Sequence, residues 1–360
     1  MSVYNFCAGP AMLPPDVMKK AQKEFIDWQN LGVSVMEISH RSPPFLELAQ
    51  KSEESLRRLM NISDEYSVLF MHGGGRGQFS AVPLNLHQKG KQAVYCQTGT
   101  WSSSALDEAN KFTQTQTFNI RNDHNSVASV IPVDQWQLPK EASYIHYCTN
   151  ETVDGIELFD VPKHASAPIV ADMSSNILSR EIDVNQFDLI YAGAQKNIGP
   201  SGLAIVIVKK DLLSRPGLAK PGIFDYELES KQQSMFNTPP TFAWYLAAEV
   251  FAWLEANGGV AAMEVHNRDK AALLYDFIDN NDFYQNNIDT SCRSLMNVPF
   301  LLKDESLNKA FLAQSQSAGL LALEGHRSVG GMRASIYNAM PKAGVAALVD
   351  FMHKFSKEHQ

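Results

Sequence analysis

The sequence predicts an α/β fold with a large doubly wound domain, built on a mostly parallel sheet of seven strands, and a smaller C-terminal α/β domain. Short apolar runs recur from residue 67 to residue 208, separated by turn residues and helix-length stretches. Several runs are apolar on both faces, which is typical of strands in a sheet that helices cover on both sides. After two long helices, a second strand–helix pattern starts near residue 290. Alternation of this kind indicates strands joined through helices.

The large domain is predicted to span residues 16–264. Its strand candidates are residues 67–71, 93–97, 115–118, 144–148, 168–172, 187–191 and 203–208. Helical periodicity follows Pro14 and Trp101, and two long helices are expected at Thr241–Ala256 and Gly259–Ile278.

The smaller domain is predicted to combine residues 1–15 with residues 265–360. Strands are expected near residues 296–302 and 332–336, with a helix from Leu307 between them. A last helix places a set of apolar side chains on one face. These are Val345, Leu348, Val349, Met352 and Phe355.

The composition narrows the functional classes. Charged residues make up only 19% of the 360 residues, below the roughly 25% that is typical of soluble domains, which favours surface buried between subunits. The net charge is −8 and no basic stripe is present, so nucleic acid is not an expected partner. The longest apolar segments, residues 203–208 and 243–254, are too short to span a bilayer, so no membrane is expected either. The N-terminus lacks a secretory pattern, and the four scattered cysteines suit free thiols in a reducing cytoplasm. No metal site is expected.

A glycine-rich segment follows the first strand. It reads H-G-G-G-R-G-Q-F, residues 72–79, and glycines there let backbone N–H groups approach an anion at a helix N-terminus. The spacing fits neither the Walker A pattern nor G-x-G-x-x-G. We interpret the segment as a phosphate site; the alternative is a strand-to-helix turn without a ligand.

Two charged residues stand at the ends of apolar runs. Asp172 ends P-I-V-A-D, and Lys196 lies in Y-A-G-A-Q-K-N-I-G-P-S-G after a buried run. In open α/β sheets such strand ends share one crevice. A glycine-bound phosphate, a buried carboxylate and a lysine together suit pyridoxal phosphate (PLP), with Trp101 covering the ring. Taken singly, Asp172 could be a cap, Lys196 a surface residue and Trp101 a core residue.

At this point six motifs identify a resemblance that covers essentially the whole chain. They are H-G-G-G-R-G-Q-F, Y-C-T-N-E-T, A-D-M-S-S, Y-A-G-A-Q-K-N-I-G-P, F-N-T-P-P-T and G-H-R-S-V-G-G-M-R-A-S-I-Y-N. In this order they resemble the phosphoserine aminotransferase family, which belongs to the class V aminotransferases of PLP fold type I. The resemblance implies a homodimer with PLP as cofactor.

The resemblance also implies roles for individual residues. Lys196 would form the Schiff base and Asp172 would pair with the pyridine nitrogen. The remaining cofactor contacts would come from Trp101 on the ring, Thr152 on the phenolic oxygen, Gly75, Arg76 and Gln195 on the phosphate, and Asn237 and Thr238 on the phosphate of the other subunit.

The substrate side is likewise carried over from the family. Arg333 would bind the α-carboxylate, and the distal phosphate or glutamate side chain would fall to His40, Arg41, His326 and Arg327. Arginines are suited to carboxylates and phosphates because of their planar fork of donors. The chain departs from the family at Ala8, where many relatives have a serine that would contact the amino acid.

The activity implied is transfer of the amino group of glutamate to 3-phosphohydroxypyruvate, giving phosphoserine and 2-oxoglutarate for serine biosynthesis. In some bacteria the family also aminates a four-carbon analogue on the way to pyridoxine. The alternatives are another fold-type I enzyme, such as a cysteine desulfurase or an aminotransferase for an unphosphorylated keto acid, and a catalytically silent PLP-binding module. A desulfurase needs a cysteine in a flexible loop, and no cysteine here lies in a Gly/Ser-rich segment.

Overall fold

The computed structural model describes residues 2–164 and 166–359. Its strands are β1 Tyr4–Asn5, β2 Tyr66–His72, β3 Ala93–Gln97, β4 Thr115–Asn119, β5 Arg121–His124, β6 Val127–Val130, β7 Ile145–Cys148, β8 Asn150–Glu151, β9 Ile156–Glu157, β10 Ile169–Asp172, β11 Leu189–Gly193, β12 Leu203–Lys209, β13 Tyr284–Gln285, β14 Asn297–Leu302, β15 Leu320–Leu321 and β16 Met332–Ser335. Its α-helices are α1 Pro15–Glu24, α2 Pro43–Met60, α3 Gly74–Leu86, α4 Thr100–Ala109, α5 Lys210–Leu213, α6 Tyr226–Lys231, α7 Thr241–Ala256, α8 Gly259–Asp279, α9 Asn308–Ser317 and α10 Lys342–Glu358.

The central sheet has seven strands in the order β2-β12-β11-β10-β7-β3-β4. They are the seven predicted segments, with bounds that differ by two residues or fewer. β12 runs antiparallel to both of its neighbours, whereas β3, β4, β7, β10 and β11 pair in parallel. The predicted α/β class and the mostly parallel sheet are therefore confirmed.

Both faces of the sheet are buried, as the uninterrupted apolar strands require. Along β12, Leu203, Ile205 and Ile207 pack into one core cluster with α2 and α7, whereas Val206 and Val208 pack into another with α3 and α4. Successive side chains on a strand point to opposite faces, so an apolar residue at every position indicates cover on both sides. This doubly wound arrangement fixes the strand ends that carry the site.

The C-terminal part of the chain has its own sheet and core. β13, β14 and β16 form an antiparallel sheet, and a third core cluster joins its side chains to those of α8, α9 and α10. Phe6 belongs to this cluster, and β1 pairs in parallel with β15. The N-terminal residues therefore pack with the C-terminal part of the chain.

Two negative findings apply to residues 2–164 and 166–359. None of the helices in these ranges combines the length and the apolar character needed to cross a lipid bilayer. The same ranges contain no group of three or more His, Cys, Asp or Glu side chains placed to hold a metal ion.

Candidate active site

A cleft of about 420 Å³ opens where the carboxyl ends of β2, β3, β7, β10 and β11 meet. In the order 2-12-11-10-7-3-4, β12 is antiparallel, so its beginning lies at the same edge. The lining residues are Gly73, Gly74, Gly75, Arg76, Phe79, Trp101, Asn150, Thr152, Asp172, Ser174, Ser175, Gln195, Lys196, Ser201 and Gly202. The cleft thus brings together seven of the residues that the sequence assigned to the cofactor.

The glycine-rich segment forms a cradle at one end of the cleft. Gly73 adopts a left-handed conformation with φ of 86°, which turns the chain from β2 into α3. A side chain at Gly75 would meet Ser174 Oγ at 3.0 Å, and one at Gly193 would meet the Gly75 nitrogen at 2.9 Å. The first N–H groups of a helix lack intrahelical partners and carry its positive dipole end. The free N–H groups at this helix start could therefore receive an anion, as a phosphate site requires.

Lys196 lies on the floor of the cleft, three residues beyond β11. Its side chain is buried, with 8% exposed, and Nζ donates a hydrogen bond to Thr152 Oγ1 at 2.6 Å. Burial lowers the pKa of Lys196 to about 8, although the negative charges of Asp172 and other neighbours oppose this shift. A buried amine with a lowered pKa is a nucleophile near neutral pH.

Asp172 ends β10 next to Tyr191, its register partner on β11. Its Oδ1 accepts a hydrogen bond from the Ser174 N–H at 2.8 Å. Burial raises the pKa of the Asp172 carboxyl, whereas Ser174, Lys196 and Tyr191 oppose that rise. These contacts hold the carboxylate in place, and Asp172 also lines the cleft.

Trp101 stands in the first turn of α4. The centre of its ring is 5.5 Å from Nζ of Lys196 and 5.3 Å from Cζ of Arg76. The backbone N–H of Trp101 donates to Glu151 Oε2 at 2.8 Å, which ties the turn to the segment that carries Thr152. The indole therefore forms one wall of the cleft. Among the described residues that line the cleft, no aromatic ring stacks on it; Phe79 is tilted by 57°.

Three polar atoms of cleft-lining residues are buried without a partner in the described part of the chain. They are Oε1 of Gln195, Nε1 of Trp101 and Oδ1 of Asn150. An unsatisfied buried polar atom costs free energy, roughly 1–3 kcal/mol each. A polar ligand bound in the cleft would satisfy them.

The predicted substrate residues lie outside the lining of this cleft. Arg333 is half-buried on β16; its charge lowers the pKa of Lys196, and its Nε has no partner among the described residues. His326 Nδ1 lies 2.6 Å from Ser328 Oγ in the turn before β16, and Arg327 is exposed. His40 and Arg41 precede α2, with Arg41 exposed.

Asn237 and Thr238 are exposed and do not line the cleft of their own chain. The Asn237 side chain lies at His72, at the end of β2, where burial lowers the pKa of His72 and Asn237 opposes that shift. A contact of Asn237 and Thr238 with the cleft of another subunit remains a prediction.

The N-terminal segment passes over the lysine. The Ala8 carbonyl accepts a hydrogen bond from the Tyr337 hydroxyl at 2.8 Å, and the Ala11 N–H donates to the Gln195 carbonyl at 2.9 Å. A side chain at Gly9 would touch Cγ of Gln195 at 3.4 Å. The backbone of Ala8 is therefore fixed by Tyr337, whereas its methyl group offers no polar contact.

Several residues of the site were not assigned a role from the sequence. Asn150, Ser174 and Ser175 line the cleft, and Glu151 fixes the turn of Trp101 from below. Glu151 directly precedes Thr152 in Y-C-T-N-E-T, and Ser174 follows Asp172 by two positions. A polar cluster immediately after a buried strand is the signal that could have found them.

Comparison with known proteins agrees with this geometry. The model of the family "Aminotransferase class-V" matches residues 3–348. The chain is 75% identical to a phosphoserine aminotransferase from Pseudoalteromonas translucida, over 100% of both chains. Among solved structures, it is similar to the phosphoserine aminotransferase from Bacillus circulans subsp. alkalophilus, with a TM-score of 0.95 and 41% identity over 100% of this chain and 99% of that one.

A second solved structure, the phosphoserine aminotransferase from Trichomonas vaginalis, is described as PLP-bound. It shares 40% identity and a TM-score of 0.92, over 98% of this chain and 100% of that one. A family model that spans nearly the whole chain, together with full-length relatives this similar, shows that the chain belongs to the phosphoserine aminotransferase family of class V aminotransferases.

Proposed function

We propose that the protein transfers the amino group of glutamate to 3-phosphohydroxypyruvate, forming O-phosphoserine and 2-oxoglutarate, with PLP as cofactor. The observation that carries this proposal is the buried Lys196, hydrogen-bonded to Thr152 beside the buried carboxylate of Asp172. Family membership supports the substrates, because full-length relatives at 75% and 58% identity are phosphoserine aminotransferases.

The residues present fit PLP. The glycine cradle and Arg76 suit its phosphate, and the unpartnered polar atoms of Gln195 and Trp101 lie where a polar ligand would satisfy them. Asp172 would pair with the pyridine nitrogen, Thr152 with the phenolic oxygen, and the indole of Trp101 would cover the ring. When bound, PLP supplies an electron sink for the carbanion at the substrate α-carbon.

The protein's own groups supply the positioning and the proton transfer. Nζ of Lys196 is the amine that would bond to the cofactor aldehyde. The same amine, with a pKa lowered to about 8, can accept the proton that leaves the substrate α-carbon and return it. Asp172 would hold a proton on the pyridine nitrogen, because the negative charge of a buried carboxylate stabilises the protonated form of a neighbouring ring nitrogen.

Substrate selection is assigned to arginines and histidines at the rim. Arg333 would bind the α-carboxylate that every amino-acid substrate presents. Its unpartnered Nε and its electrostatic effect on Lys196 support a position close to the reacting atoms. His40, Arg41, His326 and Arg327 would bind the distal phosphate or the γ-carboxylate of glutamate, both of which are anions.

We also infer a homodimer in which Asn237 and Thr238 of one subunit reach the phosphate in the cleft of the other. Large exposed apolar side chains concentrate near the N-terminus; they are Met18, Phe25, Ile26, Leu31, Val33, Met36 and Leu46. Apolar exposure on this scale supports a protein interface. Arg41 lies between Met36 and Leu46 in this stretch. A dimer formed through the stretch would place Arg41 near the cleft of the other subunit.

The proposed division of the chain remains 16–264 for the large domain and 1–15 with 265–360 for the small one. The packing of α8 supports it. Val260 and Met263 at the start of the helix pack into the core of the large sheet, whereas Ala271 and Leu274 pack into the C-terminal core. The helix would pass from one domain to the other near residue 264. A cytoplasmic location is part of the same proposal.

The test is a steady-state assay with glutamate and 3-phosphohydroxypyruvate. The purified protein should form phosphoserine and 2-oxoglutarate in equal amounts, and a preparation that accepts pyruvate or oxaloacetate equally well would contradict the proposal. The four-carbon phosphorylated keto acid of the pyridoxine route, added as a competing substrate, tests the second activity. Comparable kcat/KM values for the two keto acids would support both.

The shared site has a separate test. Lys196→Ala and Asn237→Ala subunits are mixed and allowed to exchange. A hybrid dimer contains one cleft with both defects and one with neither, so the mixture should recover activity that neither variant shows alone. No recovery after verified exchange would contradict the contribution of Asn237 across the interface.

A further inference from the structure

Glu151 is a fully buried carboxylate whose role the reaction does not explain. Its side chain is 0% exposed, and it forms no ion pair with any lysine, arginine or histidine of the described residues. Its Oε2 accepts a hydrogen bond from the backbone N–H of Trp101, and its Oε1 accepts one from the backbone N–H of Ser102, both at 2.8 Å. Its two short hydrogen bonds are therefore made to the N-terminus of α4, whereas it acts on Lys196 through its charge alone.

The first turn of α4 is closed by a complete set of acceptors. Besides the two bonds to Glu151, the Thr100 N–H donates to Asp154 Oδ2 at 2.9 Å. The Ser102 hydroxyl accepts from the Gly99 N–H at 3.0 Å. The N–H groups at a helix start have no intrahelical acceptors, so these contacts fix the whole turn. A side chain at Gly99 would collide with Cδ of Glu151 at 2.9 Å, which shows how closely the two segments approach.

Glu151 is also joined by a peptide bond to Thr152, which lies on the other side of the cleft. Thr152 follows Glu151 in the chain and accepts the hydrogen bond from Nζ of Lys196. The Trp101 ring is 5.5 Å from that Nζ. Glu151 is thus the connection between the aromatic wall and the Thr152–Lys196 pair, by two hydrogen bonds in one direction and one peptide bond in the other.

We propose that Glu151 is a positioning residue that fixes the separation between the indole of Trp101 and the Thr152–Lys196 pair, and so sets the slot in which the cofactor ring stacks. The inference rests on the proposed function, because it takes PLP as the ligand of the cleft. Glu151 itself is not among the residues that line the cleft.

The Glu151→Gln variant removes one acceptor without changing the size of the side chain. An amide has one oxygen, so its NH₂ group would face one of the two N–H donors of α4 and leave it unsatisfied. The turn that carries Trp101 would shift or fray. Cofactor affinity and ring stacking should then change together.

Glu157→Gln is the matched control. Glu157 is also fully buried and accepts from the Leu295 N–H at 2.9 Å, and it forms an ion pair with Arg180 at 3.3 Å. It contacts neither Trp101 nor Thr152 in the described structure. The substitution should lower the melting temperature through the loss of buried contacts, but it leaves the wall of the cleft in place.

The experiment compares the wild type and both variants as full-length protein. Three quantities are measured: the Kd of PLP for cofactor-free protein, the visible circular dichroism of the bound cofactor, and the melting temperature. We expect Glu151→Gln to raise the Kd about tenfold and to weaken the dichroic band. We expect Glu157→Gln to keep the wild-type Kd and band at a lowered melting temperature.

The outcomes separate the two claims. A wild type that does not bind PLP overturns the proposed function. A wild type that binds PLP beside a Glu151→Gln variant with unchanged Kd and band overturns this inference alone. Equal losses in both variants mean that Glu151 is merely structural and also overturn it. If Glu151→Gln does not fold, Ser102→Ala, which removes the hydroxyl that accepts from Thr98 and Gly99, must show the same two changes in smaller measure.

Discussion

The two sides of the cleft differ in how their residues are held. On the cofactor side, Asp172, Thr152 and Lys196 lie at or just beyond strand ends of the central sheet, and each side chain is buried and hydrogen-bonded. On the substrate side, Arg41 and Arg327 are exposed side chains on connecting segments, without an ion pair in the described structure.

The difference follows from the two tasks. Reaction at one carbon needs fixed geometry, which strand ends with buried partners provide. Binding two different anions in alternate half-reactions needs donors that can adjust, and exposed side chains on connecting segments can do so at low cost. Substitutions on the cofactor side should therefore reduce the rate for every substrate, and those on the substrate side should change preference.

The largest effect is expected from Lys196→Ala. Without the amine there is no nucleophile for the cofactor aldehyde and no acceptor for the α-proton, so turnover should fall below detection. The glycine cradle remains, and the protein should still bind PLP non-covalently. Borohydride reduction and peptide mapping of the wild type provide the check, and a pyridoxyl group on another lysine would contradict the assignment.

Asp172→Asn should reduce kcat about 10²- to 10³-fold while changing the Kd of PLP much less. An amide cannot hold the proton on the pyridine nitrogen, so the ring accepts electrons poorly once the α-proton has left. The loss should be equal for glutamate and phosphoserine, because this contact belongs to the cofactor side. Single-turnover rates with each amino acid measure it, and a near-normal kcat would refute the electronic role.

The same contrast explains what the sequence could predict. Lys196 and Asp172 follow apolar runs, and the rule for strand ends places such residues in one crevice. The reversed direction of β12 was not predicted, although the nine residues 194–202 between β11 and β12 are too few for the crossover that a parallel neighbour needs. The contact of Glu151 with α4 joins residues about 50 positions apart, and local patterns carry no record of such a contact. Arg41 and Arg327 were found through family resemblance alone.

A smaller effect is expected at Arg333. Arg333→Ala should lower kcat/KM about ten- to a hundredfold for every amino acid, since losing a charge-assisted hydrogen bond costs roughly 1.5–3 kcal/mol. All amino acids present an α-carboxylate, so the ratio between phosphoserine and glutamate should stay the same. A variant that discriminated between them would place Arg333 with the selective residues.

Arg327→Ala should lower kcat/KM for phosphoserine by a similar or smaller factor and leave serine nearly unchanged. The comparison of phosphoserine with serine in wild type and variant isolates the contact with the distal anion. A parallel loss with glutamate would show that one pocket serves both half-reactions. A wild type indifferent to the phosphate would mean a general aminotransferase.

The smallest effect concerns the pH dependence of cofactor capture by Lys196. Burial lowers the pKa of this lysine from the ordinary 10.5 to about 8, so its reactive neutral form is gained as pH rises through about 8 and not two units higher. The rate at which cofactor-free protein bonds PLP covalently should therefore increase about tenfold per pH unit below 8 and level off above it. Thr152→Val removes the acceptor of the ammonium group, which should shift the midpoint lower still. Stopped-flow absorbance between pH 6 and 10 records both profiles. Peptide mapping measures the labelling of the exposed Lys51 over the same pH range and gives the profile of an exposed lysine as the reference. A wild-type rate that keeps rising to pH 10 would show that the amine is as basic as an exposed lysine, and the cofactor side would then be less completely desolvated than its burial indicates.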